Sequence, residues 1–398
     1  MMKTKIFAAA LLSVLALSSC SQEKHPAAGV YAIDKYWSES YTGPLGIQVS
    51  GGLMTLAGEP LYVTGVNCYN LFIQAVSGNA VTVTEMERTV EVLKNQEVPV
   101  VRFSCSPYYP GQMGLYMDHR KDYMDCLEYL AKLCDEAGIL IIPSFYWQIA
   151  CMPEYYGESI DKWGDTSSST YRFMLAYTKE IVDVLKGHKC LAAWEFGNEF
   201  NLAADIAIAG YPDIPASAIG TALKGFSEVV SQNDPEGRLI ASGHSVMRNA
   251  QWHLANERNW NTDSFNQYKA ITAVMTPPLV QGMSEHIYEA ARSFSDRGTL
   301  DRDGQLKCSM EAAKELGKVF YAGEFTGTAD GNDELVSSYY ASFYRTGVQL
   351  SLIWNYALLG DIEHSFKAGT HAGNVAFSQM RKLNGRFRSD AISNRNNN

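Results

Sequence analysis

Two short stretches carry the residue types that proton transfer requires. One is Trp194-Glu195-Phe196-Gly197-Asn198-Glu199, which follows the apolar run Cys190-Leu191-Ala192-Ala193; the other is Phe320-Tyr321-Ala322-Gly323-Glu324-Phe325. Each apolar run reads as a buried strand, so Glu199 and Glu324 fall where strands stop. Two carboxylates at strand ends can divide the work of substitution at a sugar's anomeric carbon. One protonates the leaving oxygen, and the other attacks or activates water. A carboxamide beside the acid, as Asn198 is beside Glu199, can hold a ring hydroxyl. An Asn-Glu pair alone is a weak signal, and the second carboxylate is what gives it weight.

The elements that must position these residues alternate along the chain. Gly46 to Leu56 reads as a hairpin around Gly51-Gly52. Strand-like runs follow at 61–67, 98–104, 139–145, 190–195, 238–242, 282–287, 319–323 and 350–354. Helical patterns lie between them. Thr84-Glu85-Met86-Glu87 has the form of a capping box, and Tyr123, Leu127, Leu130 and Cys134 mark a helix stopped at Gly138. A Ser/Thr run at 166–170 caps another, with further helices at about 215–231, up to 274, 333–346 and 375–383. Eight such units predict a single-domain (β/α)8 TIM barrel, an α/β fold, with the N-terminal β-hairpin closing the barrel base. An open doubly wound sheet is the rival, but the first strand leads into Gly65-Val66-Asn67-Cys68-Tyr69-Asn70, which is no phosphate loop.

In a barrel every strand's C-terminal end faces one mouth. That mouth would gather Asn67, Arg102, Trp147, Asn198, Glu199, His286, Tyr288, Glu324 and Trp354. The segments Val101-Arg102-Phe103, Gly197-Asn198-Glu199, His286-Ile287-Tyr288, Gly323-Glu324-Phe325 and Ile353-Trp354, in this order, resemble glycoside hydrolase family 5. The likeness covers roughly residues 46 to 385. It implies a retaining double displacement, with Glu324 as nucleophile and Glu199 as acid/base. Arg102 beside Glu324 would keep the nucleophile ionised and leave Glu199 protonated. Tyr288 would donate to Glu324, Asn198 to the sugar 2-hydroxyl, and His286 would hold Glu199 or the substrate. Trp354 would form the platform under the sugar being cleaved. Glu195 is expected to point away from the site as a structural residue.

Within that family, Trp147 beyond the third strand, Tyr69 in Asn67-Cys68-Tyr69, and Met152-Pro153-Glu154-Tyr155-Tyr156 look like the β-mannanase branch. The cellulase-like members carry a His beyond strand three, absent from Ser144-Phe145-Tyr146-Trp147-Gln148. Phe200 departs from the usual Pro after the acid/base. The resemblance therefore implies a β-linked poly- or oligosaccharide as substrate, leaning to β-1,4-mannan or glucomannan, with β-glucan or cellulose as the alternative. A surface protein that binds glycan without cleaving it is the rival function. The long loops beyond strands three to five have no matched motif, and His244 and His253 read as loop residues.

The remaining features exclude other classes. A formal net charge of −10 with no basic stripe argues against nucleic acid. No metal-ligand spacing or phosphate loop occurs, so no cofactor or metal is expected. Lys3, Lys5 and the apolar run 6–17, ending Leu17-Ser18-Ser19-Cys20, read as a targeting segment. Residues 1–19 form a lipoprotein signal peptide, with an ordinary signal peptide as the alternative. Lipidation at Cys20 and a tether over 20–42 would make this an exported bacterial lipoprotein of the outer membrane, on its periplasmic face or at the cell surface. The lipid would be its only membrane contact. The barrel domain spans 43–388, and the polar tail 389–398 is expected to be disordered. Seven cysteines remain after Cys20, mostly as buried thiols, with Cys68 and Cys105 the pair placed to test for a disulfide.

Overall fold

Runs such as Val100-Val101-Arg102-Phe103-Ser104 are buried at every position, as a strand covered on both faces must be. In the computed structural model eight such strands close into a parallel barrel. They are β1 (Val63–Asn67), β2 (Val100–Ser104), β3 (Leu140–Tyr146), β4 (Trp194–Gly197), β5 (Ile240–Ala241), β6 (Gly282–Ile287), β7 (Val319–Phe325) and β8 (Leu350–Ile353). β8 pairs with β1 from Leu350↔Val63 to Ile353↔Val66, which completes the circle. The structure describes residues 31–396 except 79, 208, 209, 211, 289, 290, 326–331 and 359–364.

Helices cover the outside as the periodicity predicts. The helix Arg120–Ala137 buries Tyr123, Cys126, Leu127, Leu130, Ala131 and Cys134, and it ends where Gly138 turns left-handed at φ 69°. Ser168 caps Ser169–Leu185 by accepting from the Tyr171 amide. The helix Thr84–Asn95 begins where the capping box was expected, but Thr84 is its first helical residue and makes no side-chain cap.

The hairpin does close the barrel base. Gln48–Ser50 and Leu53–Leu56 pair antiparallel and are joined by Glu59–Pro60 in a three-stranded sheet. The Ile47 amide donates to Ala192 O (2.7 Å) and the Leu239 amide to Ile47 O (2.8 Å), at the starts of β4 and β5. Gln349, just before β8, bonds both the amide and the carbonyl of Met54 at 2.9 Å.

Two expectations need correction. The tether does not run to residue 42, because Ala32–Trp37 is a helix whose fully buried Tyr36 donates to Lys189 O (2.6 Å). The tail is not disordered up to its last residues: the helix His371–Asn396 continues through it. Leu383, Phe387 and Ala391 supply its buried face, while Arg388 reaches Asp34 (2.7 Å). All seven described cysteines are buried free thiols, the reading the sequence favoured, and Cys68 and Cys105 are not bonded. Cys68 lies beside Cys134 and Tyr356, whereas Cys105 lies beside Tyr123 and Tyr177, so the two sulfurs face different neighbours. Residues 1–30, with the signal peptide and Cys20, lie outside the described residues. Among the elements that went unforeseen are the helix Gln251–Glu257 and the hairpin Ala291–Phe294/Gly298–Asp301. Among the described residues no helix is long and apolar enough to cross a membrane.

Candidate active site

Strand parity decides which side chains enter the barrel. In β6, Ser284 and His286 face inward, while Glu285 faces the surrounding helices and accepts from Tyr268 (2.7 Å) and Ser309 (2.6 Å). In β7 both Tyr321 and Glu324 face inward, a spacing of three that plain alternation forbids. A register shift between Ala322 and Glu324 resolves this, placing a bulge at Gly323. No larger residue fits there, since a Cβ on Gly323 would come 2.3 Å from the Ser284 hydroxyl and 3.1 Å from the His286 ring.

Glu199 is aimed by a different device. It sits just past β4 in the left-handed region (φ 55°, ψ 29°), which a side chain with a Cβ adopts at a cost of ~1–3 kcal/mol. Its amide donates to Gly243 O (2.8 Å) beyond β5. Gly243 is itself left-handed at φ +67°, and a Cβ there would lie 1.7 Å from Gly197 O. The close approach of these two glycines pins the turn that carries Glu199.

The mouth holds two layers of polar groups. In the upper layer His286 Nδ1 stands 2.8 Å from Glu199 Oε1 and 3.4 Å from Glu324 Oε1. The Tyr288 hydroxyl donates to Glu324 Oε2 (2.6 Å). In the lower layer Arg102 is fully buried and donates from all three nitrogens. Nε reaches Glu195 (2.6 Å), Nη1 reaches Asn67 (2.9 Å) and Glu324 (2.8 Å), and Nη2 reaches Asn198 (2.9 Å). Asn67 is equally buried, and its amide nitrogen donates to Gly323 O (3.0 Å) and Leu352 O (3.1 Å). Arg102 and Asn67 were expected among the residues gathered at the mouth, where substrate binds. They lie instead beneath the carboxylates and position them.

Glu195 likewise does not point away. It enters the barrel one layer down, bound by Arg102 and by the Tyr321 hydroxyl. Asn198 keeps its amide nitrogen for the mouth: its oxygen is taken by Arg102, and the nitrogen has no partner among the described residues. Trp354 is half-buried and stacks near Trp147 (centroids 6.0 Å, interplanar 30°), with Tyr69 at 5.2 Å from Trp147 and 6.4 Å from Trp354. Trp147 also covers the Arg102 guanidinium at 4.5 Å.

The protonation directions reverse the expectation. Burial raises the Glu324 carboxyl above its usual value, and the charges of His286 and Arg102 oppose this without cancelling it. Burial also acts on Glu199, but the His286 hydrogen bond and charge outweigh it and bring that carboxyl below its usual value. Arg102 is where it was expected; sealed burial of Glu324 outweighs it. The Glu199 side chain is 27% exposed against 5% for Glu324. Burial also raises Tyr288, and the adjoining Glu324 charge adds to it.

Sequence reasoning missed Tyr321, Ser245 and His244. Ser245 hydrogen-bonds Glu199. His244, read as a loop residue, is buried with its pKa lowered to about 4 by burial, and its Nε2 meets Met275 O (3.1 Å). The Tyr108-Tyr109 doublet stacks outward from Tyr69, with Tyr109 59% exposed at the rim. Only the aromatic doublet carried a sequence signal. Ligand-type atoms of Glu199, His286 and Glu324 lie within 4.8 Å of one another, but His286 Nδ1 is committed to the carboxylates, which makes a proton-sharing set. A second group, Asp135, His188 and Cys190, is a strand-start cap: Asp135 accepts from His188 Nδ1 (2.7 Å) and the Cys190 amide (2.6 Å).

Fold and site together define a (β/α)8 barrel with two facing carboxylates, Glu324 held by the buried Arg102 and Glu199 by His286. Comparison with known proteins agrees on the barrel. A family model described as glycosyl hydrolases family 2, TIM barrel domain, matches residues 47–211, less than half of the chain and on the Glu199 side only. That family is 2, whereas the motifs resemble family 5. Among solved structures, the endo-1,4-β-mannanase of Rhizomucor miehei is similar at 15% identity and TM-score 0.64, over 86% of this chain and 99% of that one. The β-mannanase of Mytilus edulis is similar at 14% identity and TM-score 0.58, over 86% and 97%. That of Aplysia kurodai is similar at 15% and 0.56, over 85% and 96%. At such identities the likeness is one of fold. No curated protein matches the sequence.

Proposed function

We propose that the chain is a retaining glycoside hydrolase of β-linked polysaccharide, acting on β-1,4-mannan or glucomannan. One observation carries the retaining assignment: oxygens of Glu199 and Glu324 approach within 4.8 Å. Retaining enzymes hold their carboxyls ~5–5.5 Å apart, whereas inverting ones need ~6.5–9.5 Å to admit a water. Glu324, fixed by Arg102 and Tyr288, attacks the anomeric carbon; Glu199 protonates the departing oxygen and then deprotonates water. Asn198 offers its amide nitrogen to a ring hydroxyl, and Trp354 stacks under the ring.

The protonation order of the free site is set for exchange on binding. A sugar over the mouth removes water from the more exposed Glu199, which favours its protonated form. His286 Nδ1, within reach of both carboxylates, passes its proton to Glu199 and takes one from Glu324, which leaves Glu324 ionised to attack. The lean to mannan rests on Trp147 and Tyr69 at positions that resemble the mannanase branch, and on the mannanases among the similar structures. The same reading places the enzyme outside the cytoplasm, anchored through lipid on Cys20, which Cys20→Ala should release from the membrane fraction.

The test is sugar release from mannan, glucomannan, cellulose and xylan, beside Glu324→Ala. Release from the mannans alone, lost in the variant, supports function and nucleophile. Release from cellulose keeps the mechanism and overturns the substrate. Tight binding with no release from any of them replaces hydrolysis with glycan binding.

A further inference from the structure

The lower layer contains a carboxylate that the reaction does not use. Glu195 is fully buried on β4, with Oε1 taken by Arg102 Nε (2.6 Å) and Oε2 by the Tyr321 hydroxyl. Gly243 seals it, since a Cβ there would stand 2.8 Å from Oε1. Arg102 is equally buried and its other end holds Glu324 (2.8 Å). One positive charge is thus divided between two carboxylates, only one of which reaches the mouth.

We propose that Glu195, held by Tyr321, is the positioning residue that sets how much of the Arg102 charge reaches Glu324, and thereby the pH at which Glu324 ionises. A buried ion pair in a sealed layer is screened little by solvent, so a charge one residue removed still acts. A protein that needed only an ionised Glu324 would do better with Arg102 undivided. Dividing it lets burial keep Glu324 able to take up a proton.

The charged and titratable groups around this layer come from every strand end packed on it. They are Arg102 from β2, Glu199 beyond β4, His244 beyond β5, His286 and Tyr288 from the end of β6, and Tyr321 and Glu324 from β7. His244 lies close enough to act on Glu195, but with its pKa at about 4 it is neutral above that range. His286 and Tyr288 contact Glu324 and not Glu195. Glu195 can therefore be altered without touching the upper layer.

The test does not need turnover. In protein carrying 13C-labelled glutamate, the Glu324 carboxyl is assigned by its loss in Glu324→Gln. It is titrated in a Glu199→Gln background, so that one mouth carboxyl titrates alone. Glu195→Gln removes the competing charge at constant shape, and the Glu324 midpoint falls by about one pH unit. Tyr321→Phe leaves the Glu195 charge in place but unshielded, and the midpoint rises. Glu285→Gln changes a second buried carboxylate with a tyrosine partner, and the midpoint stays. Shifts of opposite sign in the first two variants support the proposal; no shift, shifts of one sign, or an equal shift from Glu285→Gln overturns it. The catalytic consequence rests on the hydrolase reading, so absence of sugar release counts against that reading while the titration still decides this one.

Discussion

Replacing Arg102 by Met would test the buried layer as a source of stability. The substitution keeps much of the side-chain volume but deletes all four donated hydrogen bonds, to Glu195, Asn67, Glu324 and Asn198. Breaking a buried ion pair from one side costs ~3–5 kcal/mol, because the orphaned charge stays buried. Glu324, already raised by burial and now without its cation, can limit that loss by taking a proton, and the sign then follows. Its folded pKa rises above its unfolded value, so the folded state binds more protons than the unfolded chain between the two pKa values. Stability of the variant therefore falls as pH rises, by ~1.4 kcal/mol per pH unit, until Glu324 ionises in the fold. Denaturant melts of wild type and Arg102→Met at pH 5 and pH 8 read this directly. Arg102→Met/Glu324→Met removes that orphan and should recover part of the loss, most clearly at pH 8. A penalty independent of pH, or a double variant no more stable than the single, would refute the reasoning.

Further outcomes follow from the upper layer and the thiols. Glu199→Ala should slow cleavage of a glycosidic bond by ~10²–10⁴-fold, yet leave an aryl glycoside with an acidic leaving group far less affected, as steady-state rates on both would report. Since burial raises Glu324, kcat/KM should climb with pH through a midpoint above the ordinary carboxylate value of ~4.3. Tyr288→Phe deletes a donor to the ionised form, so the midpoint should move higher still in a pH–rate profile. Burial pushes Cys126 and Cys151 up to about 12, so a thiol reagent at pH 8 should label neither of them until the fold is opened.

The barrel was legible because buried parallel strands are nearly continuous apolar runs, and because Gly138 and Ser168 punctuate helices by mechanisms that show in sequence. The two carboxylates were legible because they interrupt such runs at their ends. Burial depth was not. Strand periodicity says that Arg102 faces inward, but not that Trp147, Asn67 and Glu195 close over it, since those contacts join strands far apart in the chain. Glu195 was misplaced because the parity argument ran from Glu199, across a left-handed turn that breaks the alternation. The bulge at Gly323 hid Tyr321 in the same way. The helical tail was missed because its apolar residues, Leu383, Phe387 and Ala391, are spaced four apart among polar ones and find their cover only on the folded body.

Reversed directions on Glu199 and Glu324 bear on how such a site can rest between turnovers. An ionised Glu324 in a sealed layer is already short of solvent, its side chain being 5% exposed, so its charge is costly whether or not a sugar covers the mouth. A Glu324 able to hold a proton removes that penalty, and His286 supplies a route for the proton, standing 2.8 Å from one carboxylate and 3.4 Å from the other. Binding then has to reverse the order, and the exposure difference supplies the means, since only Glu199 has much water left to lose. On this argument His286→Ala should be harmful out of proportion to its contact with substrate. It strands the proton on the wrong carboxyl, so kcat/KM should drop across the whole pH range without a matching loss of sugar binding by Glu324→Gln/His286→Ala. A loss confined to binding would make His286 a substrate contact only.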